Sequence, residues 1–411
     1  MPKAKIYNDP VYGFITIPFQ LINDLIEHPY FQRLRRIKQL GLTHYVYPGA
    51  LHTRFHHALG AMYLMMEAVE TLRSKGIEIN HSEAEAVTVA ILLHDIGHGP
   101  FSHALENSIV TDVHHETISV LFMNELNEQM NGRLKMAIEI FQNQYPKKFL
   151  HQLVSSQLDM DRLDYLNRDS FFTGVSEGVV SSDRIIKMLD VHDDNLVVEQ
   201  KGIYSIEKFI ISRRLMYWQV YLHKTVLAAE NLLMKILQRA KELAEKGADL
   251  FATPAFLFFL QNTITESDFA SDKKVLHQFA LLDDYDVFTS VKVWCYHPDF
   301  ILSTLCTNLI DRKLYKIKIQ KERIDSKELA DAQQKAVSLF NIEKQHAHYF
   351  AFEGEVVNNA YKISDEKINI LFKDDSVTDI AFASDNLNIH VLSEPIVKHY
   401  LCVDRKLLQK M

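Results

Sequence analysis

Cysteine is scarce in this chain: Cys295, Cys306 and Cys402 are its three, far apart and without a Cys-x-x-Cys spacing. That excludes a disulfide framework or a zinc knuckle as the organising device and fits a reducing cytoplasmic setting. Long apolar runs are missing as well. Stretches such as Ala86–Leu93 fall far short of the roughly 20 residues a bilayer demands, so no membrane span is expected. Met1-Pro2-Lys3-Ala4-Lys5 leads into polar residues and has the form of neither a signal peptide nor an anchor. An excess of positive charge is absent too, since 45 Lys and Arg against 53 Asp and Glu leave a formal net charge of -8. This does not favour nucleic acid as a general partner, although a local basic run can still hold a small phosphorylated ligand. No Gly-x-x-x-x-Gly-Lys-Ser/Thr loop, Gly-x-Ser-x-Gly elbow or Gly-x-Gly-x-x-Gly turn occurs, which argues against P-loop transfer, serine hydrolysis and dinucleotide chemistry.

What the chain does have is enough apolar content, 47% of 411 residues, to bury a large core and two structural units. From Pro18 to about Lys246 apolar residues recur at three- and four-residue intervals, the helical period. Ser82-Glu83-Ala84-Glu85 has the pattern of a capping box opening a helix that runs to His94, and Gly97 with Gly99-Pro100 should end it. Asn195–Ser205 suggests a hairpin around Gly202, followed by one long helix from Ile206 towards Lys246. Beyond about Val275 alternating segments such as Leu314–Gln320 and Asn388–Leu392 read as strands. The expectation is a mainly α protein with a helical core over residues 1–270 and a smaller C-terminal α+β region over 271–411.

Half of the 20 histidines lie between His44 and His115, and among them His94-Asp95 is an adjacent imidazole and carboxylate at the mouth of an apolar helix. Such a pair is costly to bury unless something neutralises it, and a divalent cation does so directly. Two other segments can add ligands: Arg54-Phe55-His56-His57 and Asp159-Met160-Asp161-Arg162-Leu163-Asp164-Tyr165. On a helix, Asp161, Tyr165 and Arg168 share one face, though Asp161, Asp164 and Arg168 are also spaced for ordinary helix ion pairs. His98, His103, His114 and His115 follow the pair and titrate near neutrality, which suits proton transfer to a leaving oxygen. The run Phe31–Gln39 gathers Arg33, Arg35, Arg36 and Lys38, readable as a phosphate-binding face or as a solvated basic face. His192-Asp193 is a second His-Asp pair, but it sits in a polar loop and reads as a decoy.

Taken together, Phe31–Gly41, Tyr47-Pro48-Gly49-Ala50, His52–His57, Leu93–His103 and Asp161–Tyr165, in that order, resemble the HD-domain deoxynucleoside triphosphate triphosphohydrolases. The pattern is similar to the SAM-and-HD-domain enzymes, without a SAM domain, and it runs from about Ile6 to Lys224. The resemblance implies an HD-domain helical core with His57, His94, Asp95 and Asp161 as ligands of a divalent metal ion, whether Mn, Fe, Ni, Zn or Mg. It implies cleavage of a dNTP, dGTP among the candidates, to deoxynucleoside and triphosphate. His103 would lie nearest the leaving oxygen with His98 and His115 beside it, and Arg54, Arg162 and Arg213 would meet phosphates. Gln39, Tyr165, Asp169 and Tyr221 would surround the deoxyribose, Tyr221 excluding a ribose 2'-OH. Lys5, Ile6, Asn8, Gln32 and Arg35 match an activating-nucleotide site between subunits, which implies a homo-oligomer, a tetramer by the same likeness. Three departures stand out: Arg162 replaces Lys, Tyr217 replaces His, and Glu27 replaces the Asp expected to read guanine at the activator site. The rivals are an HD phosphodiesterase or nucleotidase acting on another phosphate ester, and a non-catalytic nucleotide sensor.

Overall fold

The computed structural model describes residues 5–101, 104–105, 108–110, 113–358, 361, 367–384 and 396–408. His103 lies outside the described residues. The protein is mainly α-helical, with a smaller C-terminal part containing sheets.

Its spine is the helix Arg54–Ser74, which is buried along most of its length, with Phe55, Ala58, Ala61, Met62, Met65 and Leu72 in the core. A helix apolar on nearly every side has to be central. The helices His81–Leu93 and Met160–Thr173 pack against it, bringing together three segments far apart in sequence. His81–Leu93 opens two residues earlier than the sequence pattern suggests: Asn80, not Ser82, is the N-cap, its Oδ1 accepting from the Glu83 amide while its own amide donates to the Glu83 carboxylate. Asn is as good a cap as Ser, and Ser82 lies inside the first turn instead.

Two further expectations are corrected. The hairpin is made by β3 (Leu189–His192) and β4 (Asn195–Glu199), and its turn is Asp193-Asp194, both at positive φ, while Gly202 belongs to a short 3-10 turn. Asp tolerates the left-handed region that a two-residue hairpin turn requires. The expected long helix is two, Ile203–Met216 and Lys224–Glu245, joined by a π-helical turn at Tyr217–Tyr221. Single π turns inside helices are frequent at functional sites.

Helices continue through Phe300–Ile310 before β5 (Lys316–Gln320) begins. With β6 (Ala351–Asn358) and β9 (Ile396–Val403), β5 forms an antiparallel sheet of order β5-β9-β6. The helix Lys224–Glu245 contacts both β5 and Phe300–Ile310, linking the helical core to this sheet. The short strands β7 (Asn369–Leu371) and β8 (Val377–Asp379) extend the β3-β4 hairpin, β7 pairing parallel to β4. An N-terminal hairpin, β1 (Ile6–Asp9) with β2 (Gly13–Thr16), delivers Asp9 to the interior.

Candidate metal centre and adjoining cavity

His57 sits one turn into the spine helix, fully buried. Its Nδ1 faces Asp164 Oδ2 at 2.7 Å, and Asp164 is gripped by the Arg168 guanidinium, whose Nη1 donates to Asp9 Oδ2 at 2.8 Å. The spine passes this buried ion network at Gly60, where a Cβ would lie 2.0 Å from Asp164 Oδ1 and 2.1 Å from Arg168 Nη2. His94 caps the end of its helix and turns Nδ1 to the Ile91 carbonyl at 2.6 Å. Both imidazoles are therefore oriented through one nitrogen, leaving Nε2 of each for a ligand.

Those two Nε2 atoms lie 3.4 Å apart, and Asp161 Oδ1 is 3.1 Å from the first and 3.5 Å from the second. Two neutral-capable imidazoles and a carboxylate converging within a few ångströms form a donor set suited to a divalent transition metal. Asp95 stands between this group and a second one, with Oδ1 at 3.4 Å from His94 Nε2 and 3.3 Å from His98 Nε2. His98 and His115 stack with ring centroids 3.7 Å apart. Asp95, His98 and His115 offer donor atoms that also lie close together.

The electrostatics match this crowding. Burial works against the charged form of His57, but hydrogen bonds to Asp161 and Asp164 outweigh it and raise its pKa to about 10. Asp161 and Asp95 are held below the usual carboxylate range: burial opposes this, but the surrounding imidazoles and, for Asp95, Arg54 prevail. His98 is pushed well down by burial and by Arg54, so it is neutral at neutral pH.

The loop carrying Asp95 and His98 is fastened from beneath. Arg33, fully buried, donates to the carbonyls of Ile96 at 2.6 Å and His98 at 3.0 Å while lying against the rings of Phe122 and Phe279. Gly97 lets the helix His115–Gln129 approach, since a Cβ there would meet the His115 carbonyl at 2.2 Å and the Ser119 amide at 2.4 Å.

Beside the cluster lies a cavity of about 460 Å³, lined by Gln39 and Arg54 near the metal ligands and by Tyr217, Tyr221, Leu227 and Glu230 further along. Arg54 Nη1 donates to Asp95 Oδ2 at 2.6 Å. Tyr221 donates to Asp169 Oδ2 at 2.8 Å, and the other Asp169 oxygen faces His52 Nε2 at 2.7 Å. Burial first, then Asp169, raises the Tyr221 pKa, so the phenol keeps its proton. The Tyr165 ring meets that of Tyr221 edge to face. The buried Gln39 Oε1 and Arg213 Nε have no hydrogen-bond partner among the described residues.

The helix face expected to unite Asp161, Tyr165 and Arg168 is divided in the structure. Asp161 points to the imidazoles, whereas Arg168 turns inward to Asp164 and Asp9. Arg162 pairs with the N-cap Asp159. The basic run is likewise dispersed: Arg33 is buried, Arg36 pairs with Asp283, Lys38 with Asp284, and Arg35 stays exposed, its guanidinium 3.5 Å from the Phe55 ring centroid. Lys5, Ile6, Asn8 and Arg35 are at the surface, with Lys5 paired to Glu27 and Arg35 donating to Gln32 Oε1 at 2.9 Å. His192 and Asp193 end a hairpin strand away from any group of potential ligands among the described residues. Sequence reasoning gave no role to Asp9, took His52 only as part of a motif, and read Arg33 only as part of a basic run. What each does was not legible, because each meets its partners from another part of the fold.

A buried His and Asp cluster held between packed helices, beside a polar-and-aromatic cavity, is a group of side chains that could hold a divalent metal ion. The chain belongs to the HD-domain phosphohydrolase family. Residues 54–169 match the HD domain and residues 180–253 the HD associated region. A solved phosphohydrolase from Bacteroides thetaiotaomicron is 55% identical with a TM-score of 0.95, covering 98% of this chain and 100% of that one. The YwfO protein of Bacillus subtilis is 37% identical over 322 residues, 77% of this chain and 72% of that protein. The deoxynucleoside triphosphate triphosphohydrolase SAMHD1 homolog of Dictyostelium discoideum is 33% identical over 241 residues, 54% of this chain and 46% of that protein. The match thus spans less than half the length of that enzyme. Among the described residues no helix is long and apolar enough to cross a membrane.

Proposed function

We propose that the protein is a metal-dependent dNTP triphosphohydrolase, releasing deoxynucleoside and inorganic triphosphate. The observation that carries this reading is the pairing of the His57, His94 and Asp161 cluster with a cavity walled by Gln39, Arg54 and Tyr221. A simple phosphomonoesterase needs the first and has no use for the second.

His57, His94, Asp95 and Asp161 would hold the divalent ion, which supplies Lewis acidity at the phosphate and lowers the pKa of water. Arg54, aligned by Asp95, and Arg213 offset the negative charge of the phosphates, with Arg162 as a further cation. Gln39 offers its unpaired acceptor to a sugar hydroxyl. Tyr165 and Tyr221, the latter braced by Asp169, form a wall against which a 2'-OH would clash. His98 is held neutral, which leaves donation of a proton to the leaving 5' oxygen to His115 or His103. Lys5, Ile6, Asn8, Gln32 and Arg35 would receive an activating nucleotide at a subunit contact of a homotetramer. Cooperative dNTP saturation relieved by GTP supports that site; hyperbolic curves and a monomeric mass would remove it.

The test is product analysis by phosphorus NMR and chromatography after incubating Mn-loaded protein with each dNTP and NTP, beside Asp95→Ala. Triphosphate and deoxynucleoside, absent in the variant, are expected, with NTPs cleaved far more slowly. Monophosphate and pyrophosphate, or equal cleavage of NTPs, would move the assignment to another phosphate ester. Tight nucleotide binding with no turnover would make the protein a sensor.

A further inference from the structure

The cavity does not end at the tyrosines. It continues along the helix Lys224–Glu245, where Leu227, Glu230 and Leu233 recur every third residue and line one wall for about 9 Å. Leu222 and Val356 add apolar surface, and Tyr217 and Tyr221 add aromatic rings. A flat heteroaromatic ring fits such walls.

Within them Glu230 has no hydrogen bond or ion pair among the described residues. Half-buried in the lining, its carboxyl is pushed up to about 7 by desolvation. Three other polar groups of the lining are engaged elsewhere: the Tyr400 hydroxyl donates to Asn231 Oδ1 at 3.1 Å, Lys38 lies 3.3 Å from Asp284 Oδ2, and Glu355 lies 3.9 Å from His399. A half-buried carboxylate with no donor among the described residues carries a desolvation cost that a ligand with N–H groups removes.

Resting on the proposed function, we propose that Glu230 reads the nucleobase and selects guanine. Once ionised, the Glu230 carboxyl presents two acceptor oxygens side by side and no donor, and donors from a bound base favour that form. Guanine answers them with two adjacent donors, N1–H and the exocyclic amine. Adenine and cytosine set an acceptor nitrogen beside their amine, and thymine flanks its single N–H with carbonyls, so each places an acceptor against a carboxylate oxygen. A pocket built to satisfy a buried polar group discriminates strongly against a ligand that leaves it unpaired.

The experiment measures kcat/KM for dGTP and for dITP, which lacks only the 2-amino group, in the Mn-loaded wild-type protein and in Glu230→Gln. The expected result is dGTP preferred by about 10- to 100-fold in the wild type, and a ratio near one in the variant. The ratio within one preparation cancels any loss of folded enzyme, and the wild-type ratio stands without the variant. Equal rates for dGTP and dITP in the wild type, or an unchanged ratio in Glu230→Gln, would overturn the role of Glu230 and leave the dNTP reading intact. Absence of turnover with every dNTP would instead overturn the proposed function and this inference with it.

Discussion

Gly60→Ala separates two opposite expectations at one atom. In an ordinary helix interior the change adds about 1 kcal/mol of stability, because alanine loses less backbone entropy and shields the helix better. Gly60 lies inside Arg54–Ser74, so propensity alone predicts stabilisation. The structure predicts the reverse, since the new methyl would fall 2.0 Å from Asp164 Oδ1 and 2.1 Å from Arg168 Nη2. Neither side chain can swing aside: both are fully buried, Asp164 is tied to His57 and Arg168 to Asp9. Prising apart a buried ion pair costs roughly 3–5 kcal/mol. Against the propensity gain, a net loss of about 2–4 kcal/mol is expected. Because Asp164 orients His57, metal affinity should also fall about 10- to 100-fold, the usual effect of losing a partner behind a metal-binding histidine. Thermal unfolding of chelated protein gives the first number and titration with Mn the second. A variant that melts higher than the wild type and binds metal equally well would refute the reasoning.

Three more predictions follow from the same geometry. Arg33→Met removes the donors to the Ile96 and His98 carbonyls but also a buried cation; hydrolytic activity should drop at least tenfold while stability falls by only about 1–2 kcal/mol, and full activity would show that the loop holds itself. Adding Mn at about 100 times its dissociation constant should stabilise the protein by about 2.7 kcal/mol in thermal shift, and His94→Ala should abolish the response; a persisting response would place the metal elsewhere. Glu230 has a folded pKa of about 7 against an ordinary 4.5, so the native state retains a proton that the unfolded chain releases, and its contribution is lost as pH rises from about 4.5 to about 7. Ligand-free wild type should therefore fall below Glu230→Gln in stability over that range, by no more than about 3 kcal/mol, whereas parallel curves would contradict a desolvated carboxylate.

What was legible in the sequence is what short spacing controls. The helical period, the His94-Asp95 pair at a helix end and the succession of HD-type motifs depend on residues within a few turns of each other, and the mainly α architecture and the family follow from them. Helix boundaries were less secure, because Asn80 and Ser82 both make good caps and only the packed structure selects one. The π turn at Tyr217–Tyr221 was invisible, since its sequence keeps a helical pattern and the extra residue per turn is imposed by packing. Tertiary structure alone decided that Asp161 meets His57 and His94 while Asp164 backs His57, a division that helix spacing left open. It alone buried Arg33 beneath the loop carrying Asp95 and His98, carried Asp9 from an N-terminal hairpin to Arg168, and left Glu230 in the cavity without a partner among the described residues. Hydrogen bonds and charge act through space over a few ångströms, so groups scores of residues apart are neighbours only after the chain has folded.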